Sequence, residues 1–421
     1  MVNYGKMSTA ASSDKYAVHR WFNFIAGYSP EYIKYAIEEY AQQSGQNPAR
    51  ILDPFAGMAT TNVVANQLGI PSKGIERNPF FYKIGLAKTR AGQIAAFFPE
   101  IQEQFSSLIN NPTKEDFCQD NDAIKFLLKL FDSDDLAILF SLRECVYSLN
   151  SEEKRLAGFL VLSKMLEYAT FAKTDGIYKV PTSKKHNHSC SDSLILTIED
   201  LSFGQDEYSH WPSLSEYCFD SSVTHDLGQD NYDLVVFSPP YLNNFDFAEM
   251  TRMQLYFWEE ASSWREISEK HRNKMLVNTT TALKDVRAVE QQKELREKLP
   301  NTVLKQVDPI VDELHRLRKN EGKSKDYDLI IYPYLAQMME VVSRCYDAMS
   351  SGAHLRIVLS DAAFYGIHID TQEYIALILK AIGYSNIEVN RMRDRGDRWV
   401  LQKRKSSGKQ LGEFELFASK D

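Results

Sequence analysis

Two short runs of this 421-residue chain bring together groups able to do chemistry. The first is Leu52-Asp53-Pro54-Phe55-Ala56-Gly57-Met58-Ala59-Thr60-Thr61. An acidic residue, a proline and a glycine ahead of a helix-forming stretch predict the turn from a strand end into a helix. There backbone N–H groups point outward and glycine lets a ligand come close. Neither G-x-G-x-x-G nor G-x-x-x-x-G-K-[ST] is present, so neither the dinucleotide loop nor the P-loop is read here. An acidic strand end suits a ligand carrying a cationic amino-acid moiety better than a pyrophosphate. Glu76 follows 23 residues after Asp53 and ends the next predicted strand, where a carboxylate accepts hydrogen bonds from ribose hydroxyls.

The second run is Val235-Val236-Phe237-Ser238-Pro239-Pro240-Tyr241. A strand delivers a hydroxyl, two prolines and an aromatic ring at its carboxyl end, where open α/β sheets bind ligands. Pro239 and Pro240 have no N–H and offer only carbonyl acceptors at fixed φ. Acceptors beside the flat face of Tyr241 form a receptor for a planar exocyclic amine. Asn243, Asn244, Phe245, Asp246 and Phe247 extend this loop, either lining a base pocket or folding the loop.

These runs need a scaffold, and hydrophobic periodicity supplies one. Residues 51–52 and 72–76 predict strands, residues 60–68 a helix, and Ser29-Pro30 and Pro79 open helices with proline at the first position. Strand, glycine turn, helix, strand begins a parallel α/β sheet. From about 91 to 199 the pattern turns helical, with a polar loop around 182–193. Strands resume at 217–219 and 234–237. A polar helical stretch at 261–325 holds 15 Lys and Arg against 10 Asp and Glu. A helix at 334–349, a strand at 353–359 and a helix at 371–382 follow, and 387–393 with 398–402 predict a closing hairpin. About seven strands result.

Together the motifs resemble the class I S-adenosylmethionine-dependent methyltransferases, and more narrowly the DNA amino-methyltransferases of the N4-cytosine and N6-adenine group. Asp53-Pro54-Phe55-Ala56-Gly57 resembles that family's cofactor loop. Ser238-Pro239-Pro240-Tyr241 resembles its catalytic motif in the serine form typical of the N4-cytosine branch. The segment from His19 through Phe24 and Tyr28 to Pro30 is similar to the one that packs on the cofactor's methionine end. Phe219-Asp220-Ser221 stands where the family has an acidic residue near the adenine ring. Ser360-Asp361-Ala362 and the run from Arg391 to Trp399 are also similar to family segments. One departure is Ala59, where the family's loop has a second glycine.

The resemblance implies a Rossmann-like class I methyltransferase sheet with helical insertions. The sheet domain would comprise 1–92, 212–260 and 326–421. Residues 93–211 would insert a helical unit, and 261–325 a basic one, either serving target recognition or DNA contact. The resemblance implies Phe24, Asp53, Pro54, Phe55, Ala56, Gly57, Thr60, Glu76, Arg77, Asp220 and Ser221 as cofactor contacts. It implies Ser238, Pro239, Pro240 and Tyr241 as the catalytic set. The expected activity is methyl transfer from S-adenosyl-L-methionine to the N4 amine of cytosine in double-stranded DNA at a specific short sequence. Base flipping follows, because a stacked base is out of reach. Such enzymes pair with a cognate restriction endonuclease or defence proteins. Three other readings stand beside this one: an N6-adenine enzyme, an RNA amino-methyltransferase, and a non-catalytic nucleic-acid-binding protein of the same fold.

Composition narrows the class further. The net charge of −8 excludes a globally basic nucleic-acid coat but not a local basic face. His271, Arg272 and Lys274, with Lys184, Lys185, His186 and His188, are possible phosphate contacts. Arg393, Arg395 and Arg398 are open to DNA contact or ion pairing. None of the five cysteines follows a proline, which argues against C5-cytosine methylation, a reaction needing a nucleophilic thiolate. Their scatter argues against a disulfide scaffold or a zinc site. No apolar run approaches the roughly 20 residues of a membrane span, so a cytoplasmic protein without a membrane partner is expected.

Overall fold

The computed structural model describes residues 7, 9–22, 27–112, 121–175, 178–229, 231–243, 246–277, 286–320, 325–395 and 410–421. Ser29 ends an extended segment and caps helix α1 (Pro30–Ser44), accepting from the Tyr32 amide, with Pro30 at the position where its missing N–H costs nothing. Strand β1 (Ile51–Asp53) leads through the Asp53 turn into α2 (Thr60–Gln67), and β2 (Ser72–Glu76) into α3 (Pro79–Thr89). Asn78 caps α3 from the Phe80 and Phe81 amides, again ahead of a proline.

A helical region separates β2 from the next sheet strand. Its main members are α4 (Phe98–Asn110), α5 (Ser133–Ser148), α6 (Glu152–Ala169) and α7 (Cys190–Ser202). The polar stretch expected as a loop instead contributes to an antiparallel hairpin of β3 (Ala172–Asp175) and β4 (Tyr178–Lys184), which hangs between α6 and α7. The sheet resumes with β5 (Ser215–Phe219) and β6 (Tyr232–Phe237). After a second helical excursion containing α8 (Val286–Lys298) and α9 (Asn301–Asn320), α10 (Ile331–Ala348) returns to β7 (Met349–Ser360). A small hairpin of β8 (Ala362–Phe364) and β9 (Ile367–Ile369), helix α11 (Thr371–Ile382), β10 (Ser385–Asp394) and β11 (Gly412–Ser419) complete the chain.

The central sheet runs β10-β11-β7-β6-β1-β2-β5. β11 runs antiparallel to β10 and β7, and every other adjacent pair of this sheet is parallel. This is the expected Rossmann-like α/β architecture. β10 pairs antiparallel with β11, which begins eighteen residues further on; 398–402, the segment expected to close a hairpin with 387–393, lie outside the described residues. Helices cover both faces, which explains why β6 reads as a continuous apolar run. Leu234 and Val236 pack with Ile51, Val64 and α1, while Val235 and Phe237 pack with Leu355, Ile357 and the inner faces of α10 and α11.

Strand order reverses between β1 and β6. The chain steps outward from β1 through β2 to β5, then returns to β6 and runs the other way to β7. Ligands of open α/β sheets bind outside the carboxyl ends of strands flanking such a point. The Asp53 turn and the Ser238 loop leave these two strands.

Candidate active site

Asp53 is almost wholly buried, and its carboxylate is engaged inside the turn. Oδ2 accepts from the Tyr28 hydroxyl at 2.7 Å and the Thr61 hydroxyl at 2.6 Å; Oδ1 accepts from the Phe55 amide at 3.0 Å. Burial pushes its pKa up to about 6 against these stabilising donors. The acid therefore braces the turn between strand and helix. Tyr28 belongs to the N-terminal segment that resemblance assigned to the cofactor's methionine end. Its neighbour Phe24 lies outside the described residues.

Gly57 adopts φ +55°, and a side chain there would point into open space, with nothing within 4 Å. Its amide donates to Glu76 Oε2 at 2.9 Å, and its carbonyl accepts from the Tyr217 hydroxyl at 2.6 Å. Ala59, the departure from glycine, takes the left-handed conformation (φ 65°, ψ 32°) with its methyl fully buried. An L-residue pays roughly 1–2 kcal/mol there. Burying the methyl returns about 0.8 kcal/mol of that, so alanine is tolerable in a glycine conformation.

Glu76 also accepts from the Asn78 amide at 2.6 Å, and burial pushes it up to about 7, with Asp53 adding to the effect. Beside it Arg77 lies 4.7 Å over the half-exposed Phe219 ring and donates to the Lys270 carbonyl at 3.1 Å. Its Nη1 is buried without a hydrogen-bond partner among the described residues. Asp220 follows β5 and accepts from the Ser221 amide at 2.7 Å and pairs with His225 Nδ1 at 2.8 Å. Burial opposes its ionisation, but His225 and that amide outweigh it and hold the carboxyl below its usual value. The Ser222 hydroxyl donates to the Pro54 carbonyl, tying this loop to the first turn.

Sequence reasoning did not single out Tyr217 and Tyr82. Their rings stack at 5.7 Å, and Tyr82 also meets Phe219 at 5.2 Å, forming an aromatic wall beside Arg77. The available signal lay in glycines inside regular elements. A Cβ on Gly85 would stand 2.4 Å from the Tyr217 hydroxyl, and one on Gly74 would stand 2.8 Å from its ring.

The second motif follows β6 directly. Phe237 meets Phe55 of the first turn at 5.6 Å between ring centroids, so the two motifs touch. Tyr241 is half-buried. Its hydroxyl donates to Glu413 Oε1 at 3.4 Å, the Arg395 guanidinium lies 5.6 Å from its ring centroid, and burial pushes its pKa well up. Asp246 caps the helix Phe247–Met250, while Asn78 donates to the Phe247 carbonyl and the Thr251 hydroxyl, so the β2 end also holds this loop. Asn244 and Phe245 lie outside the described residues.

Several proposed phosphate contacts turn inward instead. His271 is buried with Nε2 3.1 Å from the Glu260 carbonyl. Arg272 pairs with Asp246 at 2.7 Å and packs 4.4 Å over Trp264. Lys185 donates to the Glu167 carbonyl near the end of α6. Arg393 pairs with Glu413 at 2.5 Å. Lys184, His186 and Lys274 are exposed, and Arg398 lies outside the described residues. Among the described residues no group of three His, Cys, Asp or Glu is placed to hold a metal.

No family model matches the chain. It is similar to the Type II methyltransferase M.AvaI of a Nostoc species and of Anabaena variabilis, 24% identical over 400 residues, covering 88% of this chain and 79% of each relative. It is also similar to the Type II methyltransferase M.BsoBI of Geobacillus stearothermophilus, 21% identical over 463 residues, covering 97% of this chain and 85% of that protein.

Proposed function

We propose that this chain is a site-specific DNA methyltransferase of a restriction–modification system. It transfers a methyl group from S-adenosyl-L-methionine to the N4 amine of cytosine in double-stranded DNA. The observation that carries this reading is the departure of the Asp53 turn and the Ser238-Pro239-Pro240-Tyr241 loop from adjacent strands at the reversal of strand order. The Type II methyltransferase relatives support it. The cognate partner would be a restriction endonuclease or another defence protein.

The residues fit the cofactor. Open space over Gly57 leaves room for its close approach, and the orphaned Arg77 Nη1 is a donor awaiting an acceptor. Phe24, Pro54, Phe55, Ala56, Gly57 and Thr60 would line the amino-acid end, braced by Asp53. Glu76 and Arg77 would meet the ribose, and Asp220 and Ser221 the adenine. When bound, S-adenosylmethionine supplies a methyl group already activated on a sulfonium.

The chain's own work is then positioning. An exocyclic amine is a poor nucleophile because its lone pair is delocalised into the ring. Hydrogen bonds accepted by Ser238 and the Pro239 carbonyl favour a pyramidal nitrogen and aim its lone pair, and Pro240, at fixed φ, joins these acceptors to Tyr241. Tyr241 stacks on the everted base. Holding both partners in line supplies most of the acceleration, after a few kcal/mol for base eversion. One or both of the helical segments 93–211 and 261–325 would serve target recognition.

Digestion of methylated DNA to nucleosides tests the reading. N4-methylcytosine is expected. N6-methyladenine alone would move the target to adenine, whose amine fits the same receptor, and labelling of tRNA but not duplex DNA would move it to RNA. Failure to bind S-adenosylmethionine would leave a non-catalytic nucleic-acid-binding protein. Tyr241→Ala should suppress transfer and leave cofactor affinity nearly unchanged.

A further inference from the structure

Residues 238–243 belong to no helix or strand. Two of them are prolines without N–H groups, so a backbone ladder cannot fix this tip. Side chains from the neighbouring β7 and from the β10–β11 edge of the sheet hold it instead. Arg395 follows β10 and is buried, its amide bonded to the Leu411 carbonyl at 2.8 Å. Its Nη1 donates to Ser360 Oγ at 2.7 Å and to Asn243 Oδ1 at 3.3 Å, joining the carboxyl end of β7 to the loop just after Tyr241. The same guanidinium stands over the Tyr241 ring, and Glu413 of β11, itself paired with Arg393, accepts the ring's hydroxyl. A guanidinium is planar, donates in a fixed fork and stacks on aromatic faces; an ammonium does not combine these.

We propose that Arg395 is a positioning residue. It latches the catalytic loop to the β7 and β10 strand ends and covers one face of Tyr241, so that a planar base can stack only on the other. The inference rests on the amine-methylation reading for what stacks there. It assigns a function to the β10–β11 strand pair, the part of the sheet most distant from the cofactor turn.

The test compares Arg395→Ala, Arg395→Lys, Tyr241→Ala and the Arg395→Ala/Tyr241→Ala pair in the full chain. Tritiated methyl transfer to unmethylated plasmid DNA, S-adenosylmethionine affinity by calorimetry and hydrogen exchange of residues 241–243 are measured. Arg395→Ala should lower kcat by about 100-fold, the scale of a misplacement near 1 Å. Cofactor Kd should stay within about twofold, exchange at 241–243 should rise, and Arg395→Lys should recover only part of kcat. In the Tyr241→Ala background the arginine substitution should cost well under 100-fold, because the part acting through the ring is already lost while the hold on Asn243 remains. An unchanged kcat in Arg395→Ala, or losses that multiply in the pair, would overturn the latch. Should Arg395→Ala fail to fold, Asn243→Ala, which removes one acceptor from the loop side, must give the same kcat loss and exchange gain. Unimpaired transfer by Tyr241→Ala alone would instead sink the underlying reading.

Discussion

The hydroxyl of Tyr28 lies 2.7 Å from Oδ2 of Asp53, joining the segment before α1 to the first turn of the sheet. The same hydroxyl is 2.7 Å from Thr61 Oγ1, closing a buried triangle beneath the glycine bend. A lost hydrogen bond to a charged group costs about 1.5–3 kcal/mol when its partner stays buried. Tyr28→Phe should therefore lower unfolding free energy by about that much in urea titrations at pH 7.5, and weaken S-adenosylmethionine binding with it. Stability and affinity both at the parent level would show that Thr61 alone suffices.

Cofactor affinity should depend on pH through Glu76, which desolvation pushes up to about 7. Receiving ribose hydroxyls favours the carboxylate, so below that pH a proton must first leave. Kd should rise toward about tenfold per pH unit on acidification below 7 and level off above 8. Stability runs the other way. Both Asp53 and Glu76 have folded pKa values raised above their unfolded ones, so the folded state binds more protons between roughly pH 4 and 7. Their contribution is fully present below pH 4 and is lost as pH rises through 6 and 7. Calorimetry across pH 5.5–8.5 reads the affinity; a flat profile would remove Glu76 from the cofactor site.

Gly85→Ala places a methyl 2.4 Å from the Tyr217 hydroxyl, which is the group that holds the Gly57 carbonyl. Overpacking of this kind costs about 1–3 kcal/mol. Here it should also displace the glycine bend and reduce cofactor affinity, whereas a merely local repacking would leave affinity alone. Thermal unfolding and cofactor titration of the same sample separate the two.

Arg356 and Glu415 form a buried ion pair at 2.7 Å across β7 and β11, and Tyr32 of α1 also donates to Glu415. Removing one partner strands the other charge, so Glu415→Ala should lose about 3–5 kcal/mol. Arg356→Met with Glu415→Leu should recover most of that loss, since a well-packed apolar pair avoids the desolvation cost. A double variant as unstable as the single one would locate the effect in the α1 contact through Tyr32.

The sequence by itself determined what depends on short range. Proline and capping residues set the starts of α1 and α3, an apolar run set β6, and Asp53-Pro54-Phe55-Ala56-Gly57 and Ser238-Pro239-Pro240-Tyr241 stood out as strand-end motifs. These follow from backbone dihedral limits and side-chain periodicity, which are written residue by residue. Tertiary structure alone decided which distant groups meet. Tyr28 reaches Asp53, Tyr217 fills the space left by Gly74 and Gly85, β11 pairs with β10, and His271 and Arg272 turn into the protein. A tyrosine, a histidine or an arginine carries the same local propensity whether it faces water or a buried partner. Only packing of elements far apart in the chain supplies the partner, and with it the charge state and role of the group.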